Sequence, residues 1–309
     1  MQLPPDVRRS IDERADATGF AALKRAASAM SEAYRDGLPP RLSGEERIAA
    51  YLVTRMPATY AAAHAALGEV RARLGQTGVT SVLDVGAGTG AASLAAKECW
   101  EEIECITMLE RDWALSEAAR QWLPDARVLT DDLLRVESLP RHDLVIAAYS
   151  LGELDPYQTI AVRLWKAARV ALVVIEPGTP RGYSRILQIR DELLQAGAYM
   201  AAPCPAATPC PLMAPDWCHF AARVERSSVH RRIKEAALGY EDEKFSYVAL
   251  AREPVELPGA RIIRHPLQRP GLIELRTCTP RGVGTERVTK RDRERFRAAR
   301  QAGWGDAIS

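Results

Sequence analysis

An apolar run that ends directly on three alternate glycines, Val82-Leu-Asp-Val-Gly86-Ala-Gly88-Thr-Gly90, leaves this chain few ways to fold. Glycine is needed where the backbone must turn sharply and approach a ligand without a Cβ in the way. A helix-like run, Ala91 to Ala96, follows at once. Strand, tight turn and helix in that order form the first unit of a parallel sheet with crossover helices, so the fold class is α/β. Beyond Val79, apolar β-rich runs alternate with helical patterns, and strands are expected at Ser81–Val85, Glu104–Leu109, Arg127–Leu129, Leu144–Ala148 and Ala171–Ile175. Two later runs, Phe245–Ala251 and Gly271–Arg276, are expected to make an antiparallel edge. The glycine spacing, G-x-G-x-G, departs from the dinucleotide fingerprint G-x-G-x-x-G.

The N-terminal part has a different texture. Helices are expected at Asp6 to Asp16, Phe20 to Arg35, Gly44 to Met56 and Thr59 to Leu74, separated by Gly19, by Gly37-Leu-Pro-Pro40 and by Pro57. Ser43-Gly-Glu-Glu46 has the spacing of a capping box. The expected division is a helical N-terminal subdomain over 1–78 and a main domain over 79–309. Within the latter, a Pro-, Ala- and Cys-rich stretch from Gly197 to Phe220 is too long for an ordinary connection, and it opens an insert reaching to about 235.

With 309 residues, of which 47% are hydrophobic and 27% charged, the chain has enough apolar surface for a core, which excludes disordered and fibrous classes. No run of about 18 or more apolar residues occurs, and Met1 to Arg9 is polar and proline-bearing. Neither a membrane span nor a secretory leader is therefore expected, no membrane partner is implied, and the default location is cytoplasmic. The net charge of +2 conceals a segregation: residues 1–180 carry 20 Lys and Arg against 25 Asp and Glu, whereas 181–309 carry 22 against 15. Arg226, Arg231, Arg232 and Lys234 form one cationic cluster, and Lys290, Arg291 and Arg293 open a basic C-terminal tail over about 280–309. Such clusters are the electrostatic footprint of nucleic-acid binding, with a solvated helix face as the competing reading.

Six cysteines are too few for a disulfide scaffold in a chain of this length. Four of them, Cys204, Cys210, Cys218 and Cys278, stand three close together and one distant, a set able to close a tetrahedral thiolate site around a loop too polar to fold by burial. Zinc sites favour shorter chelate pairs than the C-x5-C-x7-C spacing here, which suits a four-iron cluster better. His219 could replace one ligand, and free thiols are the plainest alternative. Cys99 and Cys105 read as small core or surface residues.

The glycine loop resembles motif I of the class I S-adenosylmethionine-dependent methyltransferases. That resemblance implies that Asp84 interacts with the methionine moiety, directly or through water, that Gly86, Gly88 and Gly90 carry the sulfonium end, that Glu110 accepts the ribose hydroxyls, and that Asp131 or Asp132 faces the adenine. The acceptor side departs from known patterns. Ala148-Tyr149-Ser150-Leu-Gly-Glu153 stands where an amino-methylating enzyme carries an Asp/Asn-Pro-Pro-aromatic motif, Cys99 and Cys105 lie in the wrong strand region for a nucleophile, and no Lys-Asp-Lys-Glu set is evident. Tyr149, Ser150 and Glu153 could orient an acceptor, in competition with a structural role at the sheet's edge.

Further segments extend the likeness: Tyr149-Ser-Leu-Gly-Glu-Leu154, Glu176-Pro-Gly-Thr-Pro-Arg181-Gly, Asp216-Trp-Cys-His-Phe220 and Gly239-Tyr-Glu-Asp-Glu-Lys-Phe-Ser-Tyr247. Together with the glycine loop and the Cys-Pro insert, they make the chain resemble, from about Arg41 to Trp304, the methyltransferase-like assembly factors of the mitochondrial ribosomal small subunit, in their bacterial branch. The resemblance implies a class I methyltransferase (Rossmann-like) fold with an N-terminal helical subdomain, and a Cys-rich metal-binding insert whose [4Fe–4S] cluster is held by Cys204, Cys210, Cys218 and Cys278. It also implies association with small-subunit rRNA and the immature small ribosomal subunit. The family is itself divided between active rRNA methylation and use of the fold as a scaffold. The competing expectation is a methyltransferase acting on a small molecule or protein, with structural zinc or free thiols.

Overall fold

Four helices precede the first strand in the computed structural model, which describes residues 1–35, 44–75 and 77–308. They are α1 (Pro5–Thr18), α2 (Phe20–Arg35), α3 (Glu45–Thr54) and α4 (Met56–Leu74). Pro57 does not separate two helices as expected. It sits in the first turn of α4, where a missing N–H costs nothing and the fixed φ suits the helix. The capping-box serine Ser43, the Gly37-Leu-Pro-Pro40 separator and the Arg41 start of the resemblance lie outside the described residues. In α4, Tyr60, Ala61, Ala62 and Ala63 are all buried, more than one face of a helix, as required of a helix enclosed on several sides. Its Ala66, Leu67 and Val70 share one core with Val82 of the first strand, so the helical region and the sheet are packed as one body on that face.

The main layer follows as β1 (Ser81–Val85), α5 (Ala91–Cys99), β2 (Cys105–Leu109), α6 (Trp113–Arg120), β3 (Arg127–Leu129), β4 (His142–Ala148), α7 (Tyr157–Ala167), β5 (Ala168–Pro177), α8 (Pro180–Gln195), β6 (Tyr199–Ala202), β7 (Phe220–Glu225), α9 (Ser228–Ile233) and β8 (Tyr240–Ala251). The sheet order is β3-β2-β1-β4-β5-β8-β6, with β7 also on β8. The first five of these strands are parallel and β8 is antiparallel to β5, β6 and β7. This is a class I methyltransferase-like α/β sheet: the chain winds outward from β1 to β3, then reverses and winds outward again from β4. Strand residues alternate between two cores. Val173 and Ile175 face the core shared with the N-terminal helices, while Leu172 and Val174 face α7 and α8. Burial on both faces is why these strands read as unbroken apolar runs.

A second, five-stranded sheet is built from β9 (Ala260–Ile262), β10 (Leu267–Arg269), β11 (Leu272–Thr279), β12 (Gly282–Thr289) and, after α10 (Arg293–Gln301), β13 (Ala307–Ile308). The two late runs expected to pair with each other therefore belong to different sheets. Phe245–Ala251 is buried at every position and takes an inner place beside β5, whereas β11 buries only alternate residues, Ile273, Leu275 and Thr277, and needs cover on one face alone. Phe296 and Ala299 of α10 supply that cover. The stretch 282–308, expected as a basic tail, is thus strand, helix and strand. No helix among the described residues is long and apolar enough to cross a membrane.

Candidate cofactor crevice and thiol cavity

The glycine loop lies at the C-terminal end of β1, beside β4, where the winding direction reverses and open α/β sheets bind ligands. Gly86 and Gly90 have φ of 67° and 75°, a region that disfavours L side chains. Space forbids them too. A Cβ on Gly86 would come within 2.4 Å of Ser150 Cβ, and one on Gly90 within 2.9 Å of Leu123 Cδ1. The loop is tied to β2, because the Gly86 and Ala87 N–H groups both donate to the Leu109 carbonyl at 2.8 and 3.1 Å.

Its carboxylates are held by the protein itself. Asp84, 1% exposed, accepts from Ser93 N and Oγ at 3.0 and 2.7 Å. Burial pushes its carboxyl up to about 6, against those two bonds. Glu110 accepts from Gly88 N at 2.8 Å with one oxygen and from Asp112 N at 2.9 Å with the other. Each oxygen keeps capacity for a further donor. Asp112 then caps α6 by accepting from Ala114 and Leu115 N–H. Asp131 and Asp132 follow β3, the first exposed and the second half-buried, and accept from the Asp132 and Leu134 N–H groups respectively. Asp84, Glu110 and the two aspartates therefore come from three neighbouring strands, at or just past their ends on the same edge of the sheet.

The acceptor-side residues are likewise engaged. Ser150 Oγ donates to the Val85 carbonyl at 2.9 Å, Tyr149 Oη donates to Glu243 at 3.0 Å, and Glu153 pairs with Arg111 at 3.4 Å. Tyr149 has φ of 58°, backbone strain in a bulky residue directly at the end of β4. A pair not singled out in the sequence lies alongside: Glu176, at the end of β5, takes Arg185 Nη1 of α8 at 2.6 Å, both buried. Burial pushes the Glu176 carboxyl up to about 7 despite the guanidinium.

The second site lies where β8 changes neighbours. β6 pairs with its Ala249–Ala251 end and β7 with Tyr240–Phe245, and the residues left between, Ser246, Tyr247 and Val248, line a partly open cavity. Cys204, Cys210, Cys218 and Cys278 all line it. Three come from the segment joining β6 to β7 and the fourth from β11 of the second sheet. None is in a disulfide. Burial pushes the Cys204 and Cys218 thiols up, the latter further raised by the other three, and Cys278 up to about 11. Among the described residues no group of three or more His, Cys, Asp or Glu is arranged around a single metal-ion position, and the cavity wall contains none of the other three types. His219 is instead stacked on Trp217, ring centroids 5.0 Å apart.

A family model described as mitochondrial small ribosomal subunit Rsm22 matches residues 45–309. The chain belongs to the Rsm22 family. It is 28% identical over 289 residues to the human mitochondrial ribosome assembly protein METTL17, covering 84% of this chain and 61% of that protein, so it spans less than two thirds of that relative. Among solved structures it is similar to the plantazolicin methyltransferase BpumL in complex with SAH (11% identity, 80% of this chain and 99% of that one, TM-score 0.43). It is also similar to magnesium protoporphyrin IX methyltransferase from Synechocystis PCC 6803 with bound SAM (13% identity, 63% and 80%, TM-score 0.41).

In this Rsm22-family chain the cationic residues fall on two separate elements. Arg226 is committed to Glu241 at 2.8 Å and Arg232 lies 4.3 Å over the Phe20 ring, while Arg231 and Lys234 on and after α9 are exposed. Lys290, Arg291 and Arg293 are exposed between β12 and the first turn of α10. Arg190 and Arg261, which line the thiol cavity, escaped the sequence reading because nothing local marks them.

Proposed function

We propose that this chain is an assembly factor of the small ribosomal subunit that binds rRNA, holds S-adenosylmethionine in the β1–β4 crevice and carries a [4Fe–4S] cluster on its four clustered cysteines. The observation that carries the reading is the family match over residues 45–309, which takes in the glycine loop, Glu110 and all four cysteines together. The crevice suits the cofactor: Gly88 has only the Tyr51 hydroxyl within 4 Å of where a Cβ would stand, and Glu110 keeps lone pairs for two ribose hydroxyls. Bound there, S-adenosylmethionine supplies an activated methyl group, and the chain's part is to hold and orient it. The proposal is for binding and assembly, with rRNA methylation as a further activity that the contacts of Tyr149, Ser150 and Glu153 with protein partners do not decide.

The cavity suits an anionic thiolate centre. Its donors are four thiols with no competing imidazole or carboxylate, the soft set that iron–sulfur clusters use. A cluster there would tie the β6–β7 segment to the second sheet, on which Lys290, Arg291 and Arg293 are presented to rRNA phosphates. Phosphate-dominated binding must weaken steeply with salt, by about 10³-fold or more between 50 and 200 mM for six or more contacts. An affinity that is flat across that range would remove the rRNA part.

The deciding experiment is ultraviolet crosslinking of the tagged protein in its native cells, followed by sequencing of the attached RNA. Enrichment of one region of small-subunit rRNA is the expected result. A scattered background without such a peak would overturn the assembly reading in favour of a methyltransferase acting on a small molecule or protein.

A further inference from the structure

Two buried guanidiniums on the wall of the thiol cavity have unsatisfied hydrogen-bond donors. Arg261 is 1% exposed and Arg190 3%. Arg261 is fastened on three sides: Nε donates to the Pro203 carbonyl at 2.9 Å, and Nη1 to Glu69 at 2.6 Å and to the Gly305 carbonyl at 2.7 Å. Arg190 reaches the Ala206 and Thr208 carbonyls and Asp191 through its two terminal nitrogens. Among the described residues, Arg261 Nη2 and Arg190 Nε have no partner. The carboxylates that pair with them, Glu69 and Asp191, are 30% and 45% exposed and stand toward solvent. An unmade N–H on a buried cation is costly, and two of them on the wall of one cavity suit an anionic centre within it.

Their placement relative to the cysteines is specific. Arg261 is the residue directly across from Cys278 in the β9–β11 ladder, so the two side chains leave the sheet on the same face. Arg190 and Tyr183 are two turns apart on α8 and therefore share a helix face. Tyr183 Oη donates to Cys210 Sγ at 3.1 Å. The Arg190 guanidinium lies against the Cys204 thiol, so each of the three residues stands beside a thiol, and none of the three is itself a metal ligand.

We propose that Tyr183, Arg190 and Arg261 are positioning residues for the thiolate centre, fixing its charge balance and raising its reduction potential. The inference rests on the reading of the four cysteines as iron–sulfur ligands. Thiolates around an iron–sulfur core leave a net negative charge that grows by one when the core accepts an electron. A hydrogen bond to a ligating sulfur, or a cation beside it, stabilises the more negative state and so favours reduction. The low dielectric of a buried wall enlarges that effect.

The test uses the full chain purified without oxygen, as wild type, Tyr183→Phe and Arg190→Gln. Iron and acid-labile sulfide are measured first, then the midpoint potential, by following the reduced cluster's electron paramagnetic resonance during titration with dithionite. The expected result is equal iron and sulfide in wild type and Tyr183→Phe, with the reduction equilibrium of the variant shifted roughly tenfold toward the oxidised cluster, about 59 mV for one electron. Arg190→Gln is expected to shift further in the same direction. If Arg190→Gln loses iron because the segment it anchors comes free, Tyr183→Phe, which removes a single oxygen, decides the matter. A Tyr183→Phe protein that titrates at the wild-type midpoint, or that fails to load, overturns the inference while leaving the cluster reading intact. Wild-type protein that holds zinc, or no metal, overturns the cluster reading and the inference with it.

Discussion

The β1–β4 crevice and the thiol cavity lie on the same molecule and treat their polar groups in opposite ways. In the crevice the side chains around the glycine loop already have protein partners: Asp84 has Ser93, Glu110 has Gly88 and Asp112, Ser150 has the Val85 carbonyl, and Tyr149 has Glu243. In the cavity four thiols line the wall, with two buried guanidiniums on it that have donors to spare. A region whose hydrogen bonds are closed holds its shape with or without a ligand. A region with buried charge and unmade bonds is stable only when something completes it. On the reading proposed above, the crevice is a preformed scaffold and the cavity is the part that its ligand completes.

The harshest way to break this contrast is Cys218→Ser. On the iron–sulfur reading it should remove all bound iron and lower the unfolding free energy by about 5 kcal/mol, because a centre that completes the fold is lost with its ligand. Urea unfolding with metal analysis checks it, and a variant as stable as wild type would make the cavity a passive one. Next in size is Glu176→Gln, which leaves Arg185 buried without its carboxylate and should cost about 3–5 kcal/mol. Gly86→Ala should cost about 3 kcal/mol through its positive φ and its collision with Ser150, and adding Ser150→Gly should return all but the ~1–2 kcal/mol of backbone strain. A double variant no better than Gly86→Ala would show that the loop is not closed by that contact.

The smallest effect has the opposite sign. Asp84 has its carboxyl raised from 3.8 to about 6, so the stabilisation it draws from binding a proton is complete below about pH 4 and lost as pH rises through 6. Asp84→Asn, which keeps the acceptor for Ser93 and removes the buried charge, should therefore unfold about 1–2 kcal/mol later than wild type at pH 8. The advantage should vanish near pH 4. A variant that is destabilised at both pH values would show that the crevice needs its carboxylate to stay folded.

The crevice was readable in the sequence because its determinants are local. Strand, glycines and helix are contiguous from Val82 to Ala96, and Glu110 ends the very next strand. The four N-terminal helices announced themselves by their period, and only their boundaries moved, since Pro57 fits a first turn as well as it marks a break. The cysteines could be grouped by type, and the structure gathers all four at one cavity. Arg261 was invisible: its carboxylate partner Glu69 is 192 residues away, and an arginine in a chain with 36 of them carries no mark of burial. The pairing of β8 was hidden for a related reason. An unbroken apolar run states that a strand is covered on both faces, but not which strands lie beside it.

The cavity's fourth wall has a consequence in time. Cys204, Cys210 and Cys218 leave the ribosome together, but Cys278 lies 60 residues further on, in a strand that must pair with β9 and β12 before it takes its place. At ordinary rates of synthesis, that is a delay of roughly 3–12 s during which three thiols stand in an open segment. Arg261, laid across Pro203, Glu69 and Gly305, can lock only after that interval, once all three of those residues have been made. Closure of the thiol cavity is therefore a late event, because it waits for segments as far apart in the sequence as Glu69 and Gly305.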